Sequence, residues 1–298
     1  MRKTPERGFL PFGKEIEVII SVASGKGGTG KTTVATSLAM ALAGAGQKVQ
    51  LLDCDVEEPN AHIFLRPRIT RRSEITIPVP LVDVKKCTFC GKCAKVCEFN
   101  ALTVLKTEVL VFDKLCHGCG GCALFCPQDA ISETLRPIGV LERGDAAGID
   151  FVHAVLNPGE PMAPPLIAAV KGEIDGDNVA IIDSPPGTSC SVVAAVKGTD
   201  MCVLVTEPTP FGLHDLKLAV EMLEKLDVPC CVVINKCDIG DYAVDDYCEE
   251  KALPVVLRIP WKKEIASSYA RGKVPLEFVS GGRTVFRQLT ELLKLNKH

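Results

Sequence analysis

Glu17-Val18-Ile19-Ile20-Ser21-Val22-Ala23 runs directly into Ser24-Gly25-Lys26-Gly27-Gly28-Thr29-Gly30-Lys31-Thr32-Thr33, and this stretch decides how the rest of the chain is read. Residues 17–23 are a β-branched run that predicts a buried strand, and residues 31–45, rich in Ala and Leu, predict a helix. Between them, residues 25–32 fit G-x-x-x-x-G-K-[ST] in the strand–loop–helix context that the pattern requires. The glycines let successive backbone N–H groups curl around phosphate oxygens, and the start of the helix adds the positive end of its dipole. Lys31 is then placed to reach the β- and γ-phosphates, and the Thr32 hydroxyl to ligate Mg²⁺. The expected nucleotide-binding residues are therefore Gly25, Lys26, Gly27, Gly28, Thr29, Gly30, Lys31, Thr32 and Thr33.

Downstream, strand-like runs at 49–52, 179–182, 201–205, 230–234 and 255–259 alternate with helical stretches near 191–196, 213–226, 242–251 and 263–271. Continuous apolar strands alternating with helices predict an α/β fold whose mostly parallel sheet is covered on both faces. Asp53 and Asp55 follow the second of these strands, and Asp183 ends Ile181-Ile182. Carboxylates at the carboxyl ends of parallel strands face the crevice where ligands bind. Beside a metal-bound triphosphate that position makes Asp55 and Asp183, with Thr32, the expected Mg²⁺ ligands, and Lys31 the expected catalytic cation. Asp53 reads equally well as a turn former.

The 298 residues carry a formal net charge of −3 and 5% aromatics, which argues against nucleic acid as a partner. No apolar run is long enough for stable membrane insertion, and residues 1–15 lack a secretory apolar core, so they read as an N-terminal extension of a cytoplasmic protein. Fifteen cysteines need another reason than secreted disulfides. Cys87-x₂-Cys90-x₂-Cys93-x₃-Cys97 and Cys116-x₂-Cys119-x₂-Cys122-x₃-Cys126-Pro127 repeat the bacterial ferredoxin run, in which the fourth cysteine of each run crosses to the other cluster. Cys87, Cys90, Cys93 and Cys126 are then the ligands of one 4Fe-4S cluster, and Cys97, Cys116, Cys119 and Cys122 of the second. Zinc is the competing occupant of paired C-x₂-C units. The alternation of strands and helices breaks over residues 83–136, which therefore read as a small α+β ferredoxin-type domain inserted into an ATPase domain made of residues 1–82 and 137–298. The basic stretch 66–72 reads as a solvated linker.

Ser24–Thr33, with its extra lysine at position 26, resembles the deviant phosphate loop of the MinD, ParA and nitrogenase iron protein superfamily. The resemblance implies that Lys26 reaches the phosphates of a second subunit across a homodimer, or a heterodimer with a related ATPase. It also implies that Asp55 orients the attacking water in a first switch, that Asp183 stands in the Walker B place, and that Asp215 meets the signature lysine at the dimer contact. Asn235-Lys236-Cys237-Asp238 resembles the guanine-reading pattern of GTPases, yet the same Asn contacts adenine in this superfamily. The phosphate loop favours ATP, which makes Asn235 and Lys236 nucleotide-binding candidates. Cys190 matches in offset one cluster-bearing cysteine of the nitrogenase iron protein, and a packed free thiol is its other reading. Residues 283–297 are amphipathic and read as a helix closing the domain.

Residues 16–275 resemble MinD/Mrp-type P-loop ATPases with an inserted two-cluster ferredoxin domain. The resemblance implies ATP or ADP, Mg²⁺ and two 4Fe-4S clusters as cofactors, and a redox partner or metalloprotein client. The leading expectation is ATP hydrolysis coupled to low-potential electron transfer or docking. The alternative is an ATP-dependent maturation factor or scaffold for iron-sulfur or other metal cofactors, and a MinD-type positioning role comes third.

Overall fold

Strand β1 (Val18–Ser24) is buried from Ile20 onward and has a strand on each side, which places it inside the sheet. The computed structural model describes residues 18–274, 283–285, 287 and 288; the expected N-terminal extension lies outside them. Helix α1 (Lys31–Ala43) follows the phosphate loop, and β2 (Val49–Asp53) and the short α2 (Ala61–Leu65) come next. A long strand β3 (Arg68–Val82) leads into the cysteine-rich segment, which contains α3 (Lys92–Val96), β4 (Leu102–Val104), β5 (Val109–Val111) and α4 (Gly121–Leu124). The chain returns through β6 (Ile131–Ala146) and turns into β7 (Ile149–Leu156). After α5 (Pro164–Lys171) the order is β8 (Val179–Pro186), α6 (Cys190–Val196), β9 (Met201–Thr206), α7 (Pro210–Leu226), β10 (Cys230–Asn235), α8 (Ala243–Glu250), β11 (Val255–Ile259) and α9 (Lys263–Ala270).

Nine strands form one sheet in the order β11-β10-β9-β1-β8-β2-β7-β6-β3. From β11 to β7 every pair is parallel, while β6 runs antiparallel to both β7 and β3. Alternation of side chains explains how both faces are filled. Leu51, Phe151 and Ile181 pack with Val34, Leu38 and Leu42 of α1. Their neighbours Leu52, Val152 and Ile182 pack on the opposite face with Leu166, Ile167 and Val170 of α5. Towards β10 that second face is closed by Val192 and Val196 of α6 and by Leu216, Val220 and Leu223 of α7. Of the amphipathic stretch 283–297, residues 283–285 and 287–288 are described and helical; Val285 is buried in the α1 face of the core.

Three features depart from the sequence reading. Residues 68–72, expected in a solvated linker, begin β3, and their register runs from Arg68 opposite Asp145 to Val82 opposite Ile131. Exposed arginines suit this outer edge strand: Arg71 pairs with Glu173 and Arg72 with Glu142. Residues 131–136, expected with the cysteine block, belong to β6 for the same reason. Strand β7 has no counterpart among the strand-like runs of the sequence, and it is buried at Phe151, Val152, His153 and Ala154. Segment 83–130 thus hangs from the end of the β3–β6 ribbon, and it repeats itself at a spacing of 29 residues. Cys87 and Cys116 correspond, as do Cys97 and Cys126. So do the left-handed backbone positions Phe89 and Gly118, Gly91 and Gly120, and Asn100 and Asp129.

Phe151 is completely buried between β2, β7 and α1. Phe151→Ala is expected to cost about 3–5 kcal/mol, read as a fall in the midpoint of chemical denaturation with an unchanged slope.

Candidate functional site

The phosphate loop is built by close approach. A Cβ on Gly25 would stand 2.4 Å from the Asp215 carbonyl oxygen, so the loop and α7 leave no room for a side chain there. Gly30 has φ 96° and precedes α1 without a side-chain cap, which leaves the first N–H groups of the helix open to an anion. The Ser24 hydroxyl donates to Lys26 O at 2.7 Å and the Gly187 N–H to Ser24 O at 2.9 Å, bracing the loop from β8. Gly27, Gly28, Gly30, Lys31, Thr32 and Thr33 line one wall of a cleft of about 440 Å³.

Three carboxylates meet one ammonium at the strand ends. Lys31 Nζ lies 3.1 Å from Asp183 Oδ1 and 3.9 Å from Asp55 Oδ2. Burial works to lower the Lys31 pKa, but Asp183, Asp55 and Asp53 outweigh it and the net shift is upward. Asp53 stands opposite Asp183 in the β2–β8 register. It accepts N–H bonds from Asp55, Asn60 and Ala61 at 3.0–3.1 Å, the turn-forming role that its position allowed. Burial and Asp183 push its carboxyl up against the pull of those amides. Asp55 faces the cleft, and burial raises its pKa to about 6 although Lys31 opposes the shift. Asp183 Oδ2 and Thr29 Oγ1 are buried without a hydrogen-bond partner among the described residues. An excess of carboxylate over lysine with orphaned oxygens at the foot of a loop of open amides fits a divalent cation carrying phosphates.

The far wall of the cleft holds Asn235, Lys236, Trp261, Ile265 and Tyr269. The Asn235 amide donates to Thr29 O at 2.8 Å, and its oxygen accepts the Lys236 N–H at 2.9 Å, so Asn235 braces the phosphate loop. Asp238, the guanine-reading position of the alternative, already accepts the Trp261 N–H at 2.6 Å. Lys26 Nζ lies 3.5 Å from Glu207, which also pairs with Lys236 at 2.7 Å. Asp215 packs its backbone on Gly25 and makes no bond to Lys26 among the described residues. Glu207, Trp261 and Tyr269 are marked by no motif; only the strand order brings Trp261 and Tyr269 to the cleft and Glu207 to Lys26 and Lys236.

The eight clustered cysteines sort into two small cavities. Cys87, Cys90, Cys93 and Cys126 line one, and Cys97, Cys116, Cys119 and Cys122 line the other. The backbone repeats the same donor pattern around each run. Phe89 N–H donates to Cys87 Sγ (3.4 Å) and Gly118 N–H to Cys116 Sγ (3.5 Å). Ala101 N–H donates to Cys97 Sγ (3.3 Å) and Ala130 N–H to Cys126 Sγ (3.4 Å). All eight are free thiols. Among the described residues no three His, Cys, Asp or Glu side chains converge tightly enough to hold a single metal ion. Cys190 is exposed at the start of α6, while Cys202 and Cys231 are packed in the core. No helix among the described residues is long and apolar enough to cross a membrane.

A profile of the CobQ/CobB/MinD/ParA nucleotide binding domain matches residues 20–276. An uncharacterised protein of Methanocaldococcus jannaschii is 32% identical over 219 residues, 73% of this chain and 77% of its own length. An iron-sulfur cluster carrier protein of Pyrococcus horikoshii is 29% identical over 238 residues, 78% of this chain and 64% of its own. The septum site-determining protein MinD of Pyrococcus horikoshii, complexed with Mg-ADP, superposes with a TM-score of 0.56 at 19% identity, covering 92% of this chain and 96% of that one. With the profile spanning the phosphate loop, the strand-end carboxylates and the far wall of the cleft, the chain belongs to the CobQ/CobB/MinD/ParA nucleotide-binding family.

Proposed function

We propose that this protein is an Mg-ATP-dependent maturation factor for iron-sulfur or other metal cofactors, with two 4Fe-4S clusters of its own in the segment carried by the β3–β6 ribbon. The observation that carries the reading is that one chain joins a phosphate-and-cation cleft to two cavities of four cysteines each. Similarity to iron-sulfur cluster carrier proteins and assembly factors favours maturation over the electron-transfer role that the cysteine runs alone suggest. Electron delivery to a client is the second reading, favoured by the crossed ligand sets.

The residues fit both groups. Thr32, Asp55 and Asp183 would hold Mg²⁺, and Lys31 would neutralise the β- and γ-phosphates. Asp55, with the one strand-end carboxylate that faces the cleft, orients the water for hydrolysis. With Asp238 occupied by the Trp261 backbone, the far wall suits adenine rather than guanine. Lys26 leaves Glu207 to meet phosphates across a homodimer or a heterodimer, where Asp215 is the contacting carboxylate. Each four-cysteine cavity supplies an all-thiolate donor set, with backbone amides already directed at two of the sulfurs of each run. When bound, a 4Fe-4S cluster supplies one-electron chemistry at low potential.

Lys31→Ala is expected to weaken Mg-ATP binding about 10–100-fold through loss of a charge-assisted contact, read by calorimetry. Asp55→Ala is expected to keep nucleotide binding and lose about 10²–10⁴-fold in hydrolysis. Held with ATP, the Asp55→Ala protein should capture its client. An apo-metalloprotein in that complex supports maturation, whereas a fully loaded redox enzyme supports electron delivery; wild-type turnover by Asp55→Ala contradicts the assignment of Asp55.

A cation needs the ionised Asp55 carboxylate, and its protonated form persists up to about pH 6 without the metal. Mg-nucleotide affinity is therefore expected to be flat above about pH 7 and to fall as the pH drops through about 6, with proton release on binding. Calorimetry in buffers of different ionisation enthalpy checks this; an affinity that does not change across that range contradicts it.

A further inference from the structure

Residues 156–163, between β7 and α5, touch both halves of the molecule. Leu156 N–H donates to Val56 O at 2.9 Å, and Val56 is the buried neighbour of Asp55. Asn157 is fastened to β6 by its N–H to Ile138 O (2.9 Å) and its side-chain amide to Pro137 O (3.2 Å). Gly159 O then accepts from Lys114 Nζ at 3.0 Å, and Glu160 takes two N–H groups of the Arg136 guanidinium. At the end of the segment, Ala163 shares the lining of a cavity with Asp55, Val56 and Glu58.

The other ends of these contacts lie beside one set of cysteines. Lys114 belongs to a single turn, Asp113–Leu115, whose Asp113 O accepts the Cys116 N–H at 3.1 Å. Arg136 stands opposite Ile77 in the β3–β6 register, next to Pro78 and three residues after Glu133, both of which line the cavity of Cys116. The Glu160 side chain is 3% exposed, and a carboxylate so deeply buried is stable only while its arginine stays in place. Arg136 Nε is buried and has no acceptor among the described residues, which leaves one donor unused on this side. Neither cavity's own lining bonds to residues 53–60 or 156–163 among the described residues; the difference lies beside the linings, where Lys114, two residues before Cys116, reaches Gly159, while residues 83–93 make no bond to either segment.

We propose that Glu160 and Arg136 are positioning residues that tie the cavity of Cys97, Cys116, Cys119 and Cys122 to the Asp55 segment. This cavity then responds to bound nucleotide, and that of Cys87, Cys90, Cys93 and Cys126 does not. The inference rests on the proposed nucleotide and cluster sites. A nucleotide that orders residues 55–58 shifts Leu156 through its bond to Val56. The shift reaches Cys116 through Glu160–Arg136 and Gly159–Lys114. Coupling of this kind is reciprocal in binding free energy: a redox state favoured by nucleotide must itself favour nucleotide.

The test uses the full-length, cluster-loaded protein without nucleotide, with Mg-ADP and with a non-hydrolysable ATP analogue. Hydrogen exchange is expected to slow at 156–160 and at 113–118 when nucleotide binds, and to stay unchanged at 87–93. In redox titrations followed by electron paramagnetic resonance, one of the two cluster signals is expected to shift, by about 59 mV for each tenfold difference in nucleotide affinity between redox states. Glu160→Gln removes the buried charge and keeps its shape. Lys114→Met changes only an exposed side chain and leaves the fold unthreatened. Both are expected to lose the potential shift and the protection of 113–118, while nucleotide still binds and still protects 156–157. The proposal is overturned if 113–118 stays unresponsive with nucleotide bound, if both clusters shift alike, or if both variants keep the full response. Nucleotide titration and iron assay come first: failure there defeats the proposed function, whereas normal binding and loading without coupling defeats only this inference.

Discussion

A single buried ammonium, Lys31 Nζ, organises the centre of the molecule. It lies at the first position of α1 and reaches Asp183 at the end of β8 and Asp55 beyond β2. Without it, the carboxylates of Asp53 and Asp183, side by side in the β2–β8 register, would be buried with only the backbone amides on Asp53 to offset their charge. With it, the group still carries more carboxylate than cation. The strand order serves this geometry: β1 delivers the phosphate loop between β8 and β9, and β8 and β2 bring their carboxylates to the same edge. A site with surplus negative charge beside a loop of open amides is stable as it stands and incomplete until a cation and phosphates arrive together.

The ribbon gives the cysteine-rich segment a rigid mount. Strands β3 and β6 pair over nearly their whole length, and β6 continues the main sheet through β7. The cysteine segment therefore shares backbone hydrogen bonds with the sheet that holds the nucleotide cleft, and it does not hang from a free linker. A bond from the Asp55 segment to β7, and contacts from the β7–α5 connection to Lys114 and Arg136 beside the second cysteine run, join the two halves. A maturation factor needs such a route if nucleotide state is to govern when a client is engaged or released.

The central strands and the phosphate loop were legible because each carries a local signature: continuous apolar runs buried on both faces, and glycines at fixed spacing beside Lys31. The two cysteine runs and their repeat were legible from spacing alone. Strands β3 and β6 were not, because an outer ribbon leaves Arg71, Arg72 and Glu142 on solvent-facing positions, so its residues read as polar linker. Strand β7 was hidden by His153, whose ring is buried against Glu142 at 2.8 Å; a polar pair inside a strand breaks the apolar run. Glu207, Asp238 and Trp261 acquire their roles only through the β1–β9–β10 order, which no local pattern encodes. Asn235 carries a local motif, but its bond to Thr29 depends on how closely β10 approaches the loop.

The proposed joining of a nucleotide cleft to two four-cysteine cluster sites in one chain stands or falls on what the eight cysteines hold. Iron, zinc and acid-labile sulfide quantified on protein purified without oxygen measure this directly. The account predicts about eight irons and as many sulfides per chain, with a broad absorbance that bleaches on reduction. Stoichiometric zinc without labile sulfide would contradict it.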